Sequence, residues 1–128
     1  MRSNEEVRAL VVDDEEILRK VASRALEELG LQVVTACDGL EAWELLQGDQ
    51  RIRLVLTDVK MPGMDGLELG ALVRGLPNPP ALLFMSGYGR PEDSIQAFIP
   101  KPFRPTDLAE LVRGLLKEHP PERSQRKS

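Results

Sequence analysis

The chain has 128 residues, of which 41% are hydrophobic and 30% charged, and its formal net charge is −4. This length suits one globular domain, and the negative charge argues against a general nucleic-acid-binding protein. No apolar run approaches the roughly 20 residues of a membrane span, and the amino terminus lacks the apolar region of a signal peptide. Cys37 is the single cysteine, which excludes an internal disulfide and favours the cytoplasm, and we expect its thiol to be a small packing group.

The first predicted strand, Arg8 to Val12, is an apolar run followed by four consecutive acids, Asp13 to Glu16. An amphipathic helix is predicted next, because apolar residues recur at spacings of three and four. The residues of this apolar face are Ile17, Leu18, Val21, Ala22, Ala25, Leu26 and Leu29. Gly30 follows, at a position where helices commonly end in a left-handed residue.

A short second strand over 32–35 precedes the second predicted helix. Asp38, with Glu41 three residues later, is typical of a capping box at the start of a helix. Leu40, Trp43 and Leu46 supply the apolar side of this helix, and we expect Trp43 to be a packing residue.

The third predicted strand, Leu54 to Thr57, is continuously apolar before its terminal threonine, as suits a strand buried on both faces. Asp58 follows at once, so a carboxylate stands at the carboxyl end of a central strand, where open α/β sheets bind ligands. A turn over 60–64 comes next, and Asp65 is predicted to start a helix over about 66–75.

The fourth predicted strand, over 81–85, ends in Ser86, and the fifth lies near Phe98, shortly before Lys101. Only twelve positions separate Ser86 from Phe98. We therefore expect the fourth helix of the fold, between these two strands, to be short or missing.

The last predicted helix begins near Pro105 and is stopped by the proline pair at 120–121. The remaining residues are polar and charged, and such a composition predicts disorder. We therefore expect one domain over 1–119 and a disordered polar tail over 120–128.

Strand and helix alternate along the chain, which predicts an α/β fold with a doubly wound, five-stranded parallel sheet. The flavodoxin-like order 2-1-3-4-5, with helices on both faces, is the expected arrangement for such a chain. All strands then end at one edge of the sheet, and the switch point between strands 1 and 3 brings Asp13, Asp14 and Asp58 together.

The residues at these strand ends give the chain a resemblance to the receiver domain of two-component response regulators, over roughly residues 7–117. The resemblance is carried by the acid pair Asp13-Asp14, by Thr57-Asp58-Val-Lys-Met-Pro-Gly-Met-Asp-Gly66, by Met85-Ser-Gly-Tyr88 and by Lys101-Pro-Phe103. The chain is similar both to stand-alone response regulators and to the receiver segments of hybrid histidine kinases.

The resemblance implies a phosphoacceptor switch, not an enzyme that acts on outside substrates. Asp58 would accept a phosphoryl group from a histidine kinase or a histidine phosphotransfer domain, and an unknown downstream protein would respond. The resemblance further implies that Ser86 and Phe98 form the switch, that the backbone carbonyl of Lys60 is a metal ligand, and that Pro102 follows a cis peptide bond.

Charge explains why such a site needs a cation. Three neighbouring carboxylates repel one another, and Mg²⁺ is a hard ion that takes oxygen ligands and also keeps waters and phosphate oxygens. We expect Asp14 and Asp58 to be direct ligands and Asp13 to be a further ligand, directly or through water. Lys101 is expected to offset charge on the transferring group, while the Ser86 hydroxyl bonds a phosphoryl oxygen.

Two alternatives stay open. A phosphatase with an aspartate nucleophile usually has a second acid two residues further on, where this chain has Lys60. A degenerate receiver, used only as a protein-binding module, would not need the acid pair, Asp58, Ser86 and Lys101.

The sequence leaves the kinase, the stimulus, the output and the phosphate lifetime open. It is equally compatible with a free single-domain regulator and with a segment of a hybrid kinase. We expect no direct nucleic-acid or membrane partner. A monomer is expected, because a missing fourth helix removes area from the face through which many response regulators dimerise.

Overall fold

In the computed structural model, which describes residues 7–87 and 97–118, strands and helices alternate along the chain. The strands are β1 (Arg8–Val12), β2 (Gln32–Ala36), β3 (Ile52–Asp58), β4 (Ala81–Ser86) and β5 (Phe98–Pro100). The helices are α1 (Glu16–Glu27), α2 (Gly39–Gly48), α3 (Gly66–Arg74) and α4 (Pro105–Glu118). The strands form one parallel sheet in the order β2-β1-β3-β4-β5, so the predicted fold and strand order are confirmed.

Two predicted features lie outside the described residues. One is the short or missing helix expected between β4 and β5, and the other is the polar tail expected over 120–128. None of the helices in the described part of the chain combines the length and the apolar character that a transmembrane span needs.

Hydrophobic cores lie on both faces of the sheet. Ala9 and Val11 of β1 belong to the core that contains buried residues of α1 and α4. Leu10 and Val12, the alternate residues of the same strand, belong to the core that contains residues of α2 and α3. Because successive side chains of a strand point to opposite faces, a continuous apolar run is what a doubly covered strand requires.

The register of the sheet aligns the carboxyl ends of its central strands. Val12, the last residue of β1, pairs with Thr57 of β3 and with Ala36 of β2. Asp13 and Asp58 are the next residues along their segments, so they emerge side by side at one edge of the sheet. The fold thus places the two acids together although they are far apart in sequence.

The starts of α2 and α3 differ in how they are capped. At α3, Asp65 accepts a hydrogen bond from the Glu68 amide at 2.9 Å, and Glu68 accepts one from the Asp65 amide at 3.0 Å. At α2, Asp38 accepts from the Glu41 amide at 2.8 Å, but the Glu41 carboxylate accepts from the Cys37 amide instead. The capping box predicted for α2 is therefore wrong in its second half, because the glutamate reaches one residue further out.

Four predictions of burial are wrong. Ile17 is 75%, Leu40 57% and Val21 37% exposed, and Cys37 is exposed as well. Ile17 and Leu40 lie in the first turns of α1 and α2, next to the loops that leave the sheet, so the apolar period extends past the region that the sheet buries. Cys37 follows β2, which is an edge strand with a neighbour on one side. Trp43 packs against the core as predicted.

Candidate functional site

Three carboxylates converge at the carboxyl edge of the sheet. Asp13, Asp14 and Asp58 each offer an oxygen within 4.8 Å of the others. Asp13 is fully buried and Asp58 almost fully buried, whereas Asp14 is exposed. A cavity of about 410 Å³ opens beside them. Its lining residues are Asp14, Glu15, Asp58, Lys60, Gly87 and Lys101.

Backbone and side-chain hydrogen bonds fix Asp13 in the loop between β1 and α1. Its amide donates to the Ala36 carbonyl at 3.2 Å, and its own carbonyl accepts from Arg19 Nη1 at 2.7 Å. Its Oδ1 accepts from the Glu15 amide at 2.9 Å. The carboxylate is thereby held in one orientation, with Oδ2 turned toward the other charged groups.

The backbone around Asp58 is packed without spare room. The Thr57 hydroxyl donates to the Asp58 carbonyl at 2.9 Å, and the Val59 amide donates to the Met85 carbonyl at 3.0 Å. Gly66, at the start of α3, lies so close that a Cβ there would collide with the Asp58 carbonyl oxygen. The glycine therefore allows α3 to begin directly against the strand end that carries the carboxylate.

Lys101 brings a positive charge to the acids. Its Nζ lies 3.1 Å from Asp13 Oδ2 and 3.1 Å from Asp58 Oδ2, with Glu15 Oε1 at 3.8 Å. Its amide donates to the Ser86 carbonyl at 2.8 Å, and its peptide bond to Pro102 is cis, as the resemblance implied. The lysine is therefore tied to the end of β4 while its ammonium group reaches the ends of β1 and β3.

The charged groups shift each other's proton affinity. Burial raises the pKa of Asp13, and the Glu15 amide and the Lys101 charge offset this only in part. Burial lowers the pKa of Lys101, but its ion pairs with Asp13 and Asp58 outweigh that and hold the pKa above its ordinary value. The raised pKa of Asp13 thus reflects its burial, whereas the raised pKa of Lys101 reflects the two carboxylates beside it.

The residues present fit a divalent cation of the Mg²⁺ type. Asp13 Oδ2 is buried and, within the described residues, lacks a hydrogen bond of proper geometry, although the Lys101 ammonium group is nearby. The donor set consists of carboxylate oxygens, which hard cations prefer, and exposed Asp14 leaves one side open for water or phosphate oxygens. Lys60 lines the same cavity, and its carbonyl remains a predicted ligand.

Ser86 and Phe98 lie on adjacent strands close to this site. Ser86 is buried at the end of β4, where its carbonyl meets the Lys101 amide. Phe98 is half-buried on β5, in register with Phe84, and packs against a cluster of Phe84 and Val59. The structure thus links Ser86 to Lys101 through the backbone, and it places Phe98 on the neighbouring strand.

Sequence reasoning missed two residues of this site. Glu15 lies opposite Lys101, and Arg19 bonds the Asp13 carbonyl from the second turn of α1. Glu15 stood in the acidic run after β1, which was a signal, but nothing in the sequence distinguished it from Glu16. Nothing in the helical period distinguishes Arg19 from a solvated surface residue.

Comparisons with known proteins agree on one family. The model of the response regulator receiver domain matches residues 9–113. Response regulator MprA of Mycobacterium tuberculosis is 34% identical over 123 residues, which cover 91% of this chain and 53% of MprA. This chain therefore spans about half the length of that relative.

Two further relatives match over nearly their whole length. A chemotaxis protein CheY homologue of Campylobacter jejuni is 32% identical over 120 residues, covering 86% of this chain and 92% of that protein. The crystal structure of the receiver domain from the hybrid histidine kinase CckA has a TM-score of 0.76 and 38% identity, covering 85% of this chain and 98% of that one. Together with the match to the family model, these similarities show that the chain belongs to the family of response regulator receiver domains.

Proposed function

We propose that this domain is the phosphoacceptor switch of a two-component system and that Asp58 receives the phosphoryl group. The observation that carries the proposal is the position of the Asp58 carboxylate. It lines a cavity that solvent reaches, lies within 4.8 Å of the oxygens of Asp13 and Asp14, and has the Lys101 ammonium group 3.1 Å away. A nucleophile next to an ammonium group and to carboxylate oxygens that could hold a divalent cation suits transfer of an anionic group, because positive charge offsets that of the phosphoryl oxygens.

The proposed reaction is a nucleophilic substitution at phosphorus. An Oδ of Asp58 attacks the phosphorus of a phosphohistidine, the P–N bond breaks, and its electron pair leaves on the imidazole nitrogen, which takes up a proton. The product is an aspartyl phosphate, a mixed anhydride on the protein. The donor is a histidine kinase or a histidine phosphotransfer domain.

Other residues of the site would bind the metal ion, orient Asp13 and neutralise charge on the phosphoryl group. Asp13, Asp14 and Asp58 would hold Mg²⁺ with the Lys60 carbonyl, and the ion supplies charge neutralisation when bound. The bonds from Glu15 and Arg19 keep Asp13 oriented. Lys101 moves its ammonium group from the carboxylates to the phosphoryl oxygens, as suits a point charge on a flexible stem.

The output follows from Ser86 and Phe98. The Ser86 hydroxyl donates to a phosphoryl oxygen, which draws the end of β4 toward the site, and the Phe98 ring turns into the space left behind. The surface beyond β5 then shifts between two populations, and a downstream protein binds one of them. We propose that the domain stays monomeric and binds neither nucleic acid nor membrane.

One incubation separates this function from its alternatives. The protein is mixed with Mg²⁺ and acetyl phosphate, and both its intact mass and the released phosphate are followed. A stable gain of one phosphoryl group that Asp58→Asn abolishes supports the switch, with Asp107→Asn, at a half-exposed aspartate of α4 that pairs with Arg104, as the control. Continuous phosphate release without a modified protein would indicate a phosphatase. No change in either quantity would indicate a module that only binds partners.

A further inference from the structure

A further carboxylate, that of Glu15, stands at the mouth of the phosphoacceptor cavity. Its Oε1 lies 3.8 Å from Lys101 Nζ, and its side chain is 64% exposed. Asp13 and Asp58, the closer partners of the same ammonium group, are buried. Glu15 therefore approaches the Lys101 ammonium group from the solvent-exposed side of the cavity.

The backbone holds Glu15 at this position. The residue precedes the first turn of α1 at its N-cap, yet its side chain makes no capping hydrogen bond within the described part of the chain. Its amide donates to Asp13 Oδ1 at 2.9 Å, and its carbonyl accepts from the Arg19 amide at 3.1 Å. The backbone amide and carbonyl of Glu15 are therefore both fixed, and its side chain extends from this point at the edge of the cavity toward Lys101.

A count of charges shows what Glu15 adds. Asp13, Asp14 and Asp58 bring three negative charges when ionised, and a divalent cation together with Lys101 offsets all three. Glu15 then places a further negative charge beside Lys101. A phosphodonor is itself an anion and needs the same ammonium group, so Glu15 both repels the donor and competes with it.

We propose that Glu15 is a specificity-determining residue that selects phosphodonors by charge. It slows the reaction of Asp58 with small dianionic acyl phosphates more than its reaction with phosphoramidates, whose protonated nitrogen removes one negative charge. The inference rests on the proposed function of Asp58. Its consequence is that the domain is shielded from free acyl phosphates and reserved for donors that carry phosphorus on nitrogen.

The test compares Glu15→Gln with Glu16→Gln, which is the matched control. Glu16 is the next residue, is exposed, and pairs with Lys20 at 3.4 Å on the surface of α1. The rate of mass gain is measured for each variant at saturating Mg²⁺ with acetyl phosphate and with phosphoramidate. Mg²⁺ affinity is measured separately by calorimetry, with no phosphodonor present.

We expect Glu15→Gln to speed the reaction with acetyl phosphate about three- to tenfold, and that with phosphoramidate about two- to threefold, from charges roughly 6–8 Å apart in water. The difference should shrink at about 1 M salt, where the Debye length is roughly 3 Å. Mg²⁺ affinity should fall about three- to tenfold, because one attractive charge is lost. Glu16→Gln should change none of these quantities.

Several results would overturn the proposal. Equal acceleration with both donors would show that Glu15 does not select by charge, as would equal effects of the two variants. Unchanged rates and unchanged Mg²⁺ affinity in Glu15→Gln would show that its charge is not felt at the site. A wild-type chain that gains no mass from either donor would instead overturn the proposed function of Asp58, and this inference with it.

Discussion

Gly66 stands where α3 meets the backbone of the phosphoacceptor, and replacing it by alanine would disturb both stability and reactivity. The added Cβ would collide with the Asp58 carbonyl oxygen and lie 3.0 Å from the Val59 Cα. Neither contact involves a flexible side chain that can move aside, so the first turn of α3 or Asp58 itself must shift. Overpacking of this kind costs about 1–3 kcal/mol, and the severity of the clash places Gly66→Ala at about 2–3 kcal/mol.

Gly114 offers a matched control inside α4. A Cβ at Gly114 meets none of the described atoms within 4 Å, so alanine there should stabilise the helix by about 0.5–1 kcal/mol. Urea denaturation, followed by far-ultraviolet circular dichroism, measures both free energies of unfolding. Gly66→Ala should also slow phosphorylation at least about tenfold, since small misplacements of a nucleophile cost that much or more. A Gly66→Ala protein with wild-type stability and wild-type phosphorylation would refute the reasoning.

Three further substitutions test the electrostatics. Asp14→Ala should raise the melting temperature without metal by a few degrees and remove the stabilisation by Mg²⁺, because it relieves repulsion and deletes a ligand; unchanged metal affinity would contradict the site. Lys101→Met leaves two buried carboxylates unpaired and should destabilise by about 3 kcal/mol in urea without metal, with Mg²⁺ restoring part; full stability would show that the pairs do not matter. Burial raises the pKa of Asp49, but the hydrogen bonds of Arg51 and the charges of Arg8 and Arg51 outweigh this and hold the pKa below its ordinary value of 3.8. Its pairs therefore stabilise the fold above that pH and lose their effect as pH falls through the lowered pKa. Asp49→Asn should cost about 0.5–1 kcal/mol at pH 7 and nothing near pH 2, and melting curves showing an equal cost at both pH values would refute this.

The fold could be predicted because its strands carry an unusual pattern. Buried parallel strands are continuously apolar, and here such runs end abruptly in Asp13, Asp58 and Ser86. The strand order follows from right-handed crossovers and the position of the switch point, so the meeting of the acids was a consequence of topology. Gly30 and Asp65 marked an end and a start of helices, and the structure has a left-handed glycine and a full capping box there.

Features that depend on side-chain reach could not be predicted. The bond from Arg19 to the Asp13 carbonyl and the approach of Glu15 to Lys101 are set by the path of one loop, which no periodicity encodes. Ile17 shows the opposite case, because its helical spacing matches that of the buried apolar face, yet its side chain is 75% exposed in the first turn of α1.

The most direct test of the account is to locate the phosphoryl group chemically. The protein is incubated with Mg²⁺ and acetyl phosphate, denatured in acid and treated with borohydride, which reduces an acyl phosphate to an alcohol, and its peptides are then analysed by mass spectrometry. We expect a reduced side chain at Asp58 and at no other aspartate, and we expect it to depend on both the donor and Mg²⁺. Reduction at a different aspartate, or an unmodified Asp58 in protein that has gained a phosphoryl group, would contradict it.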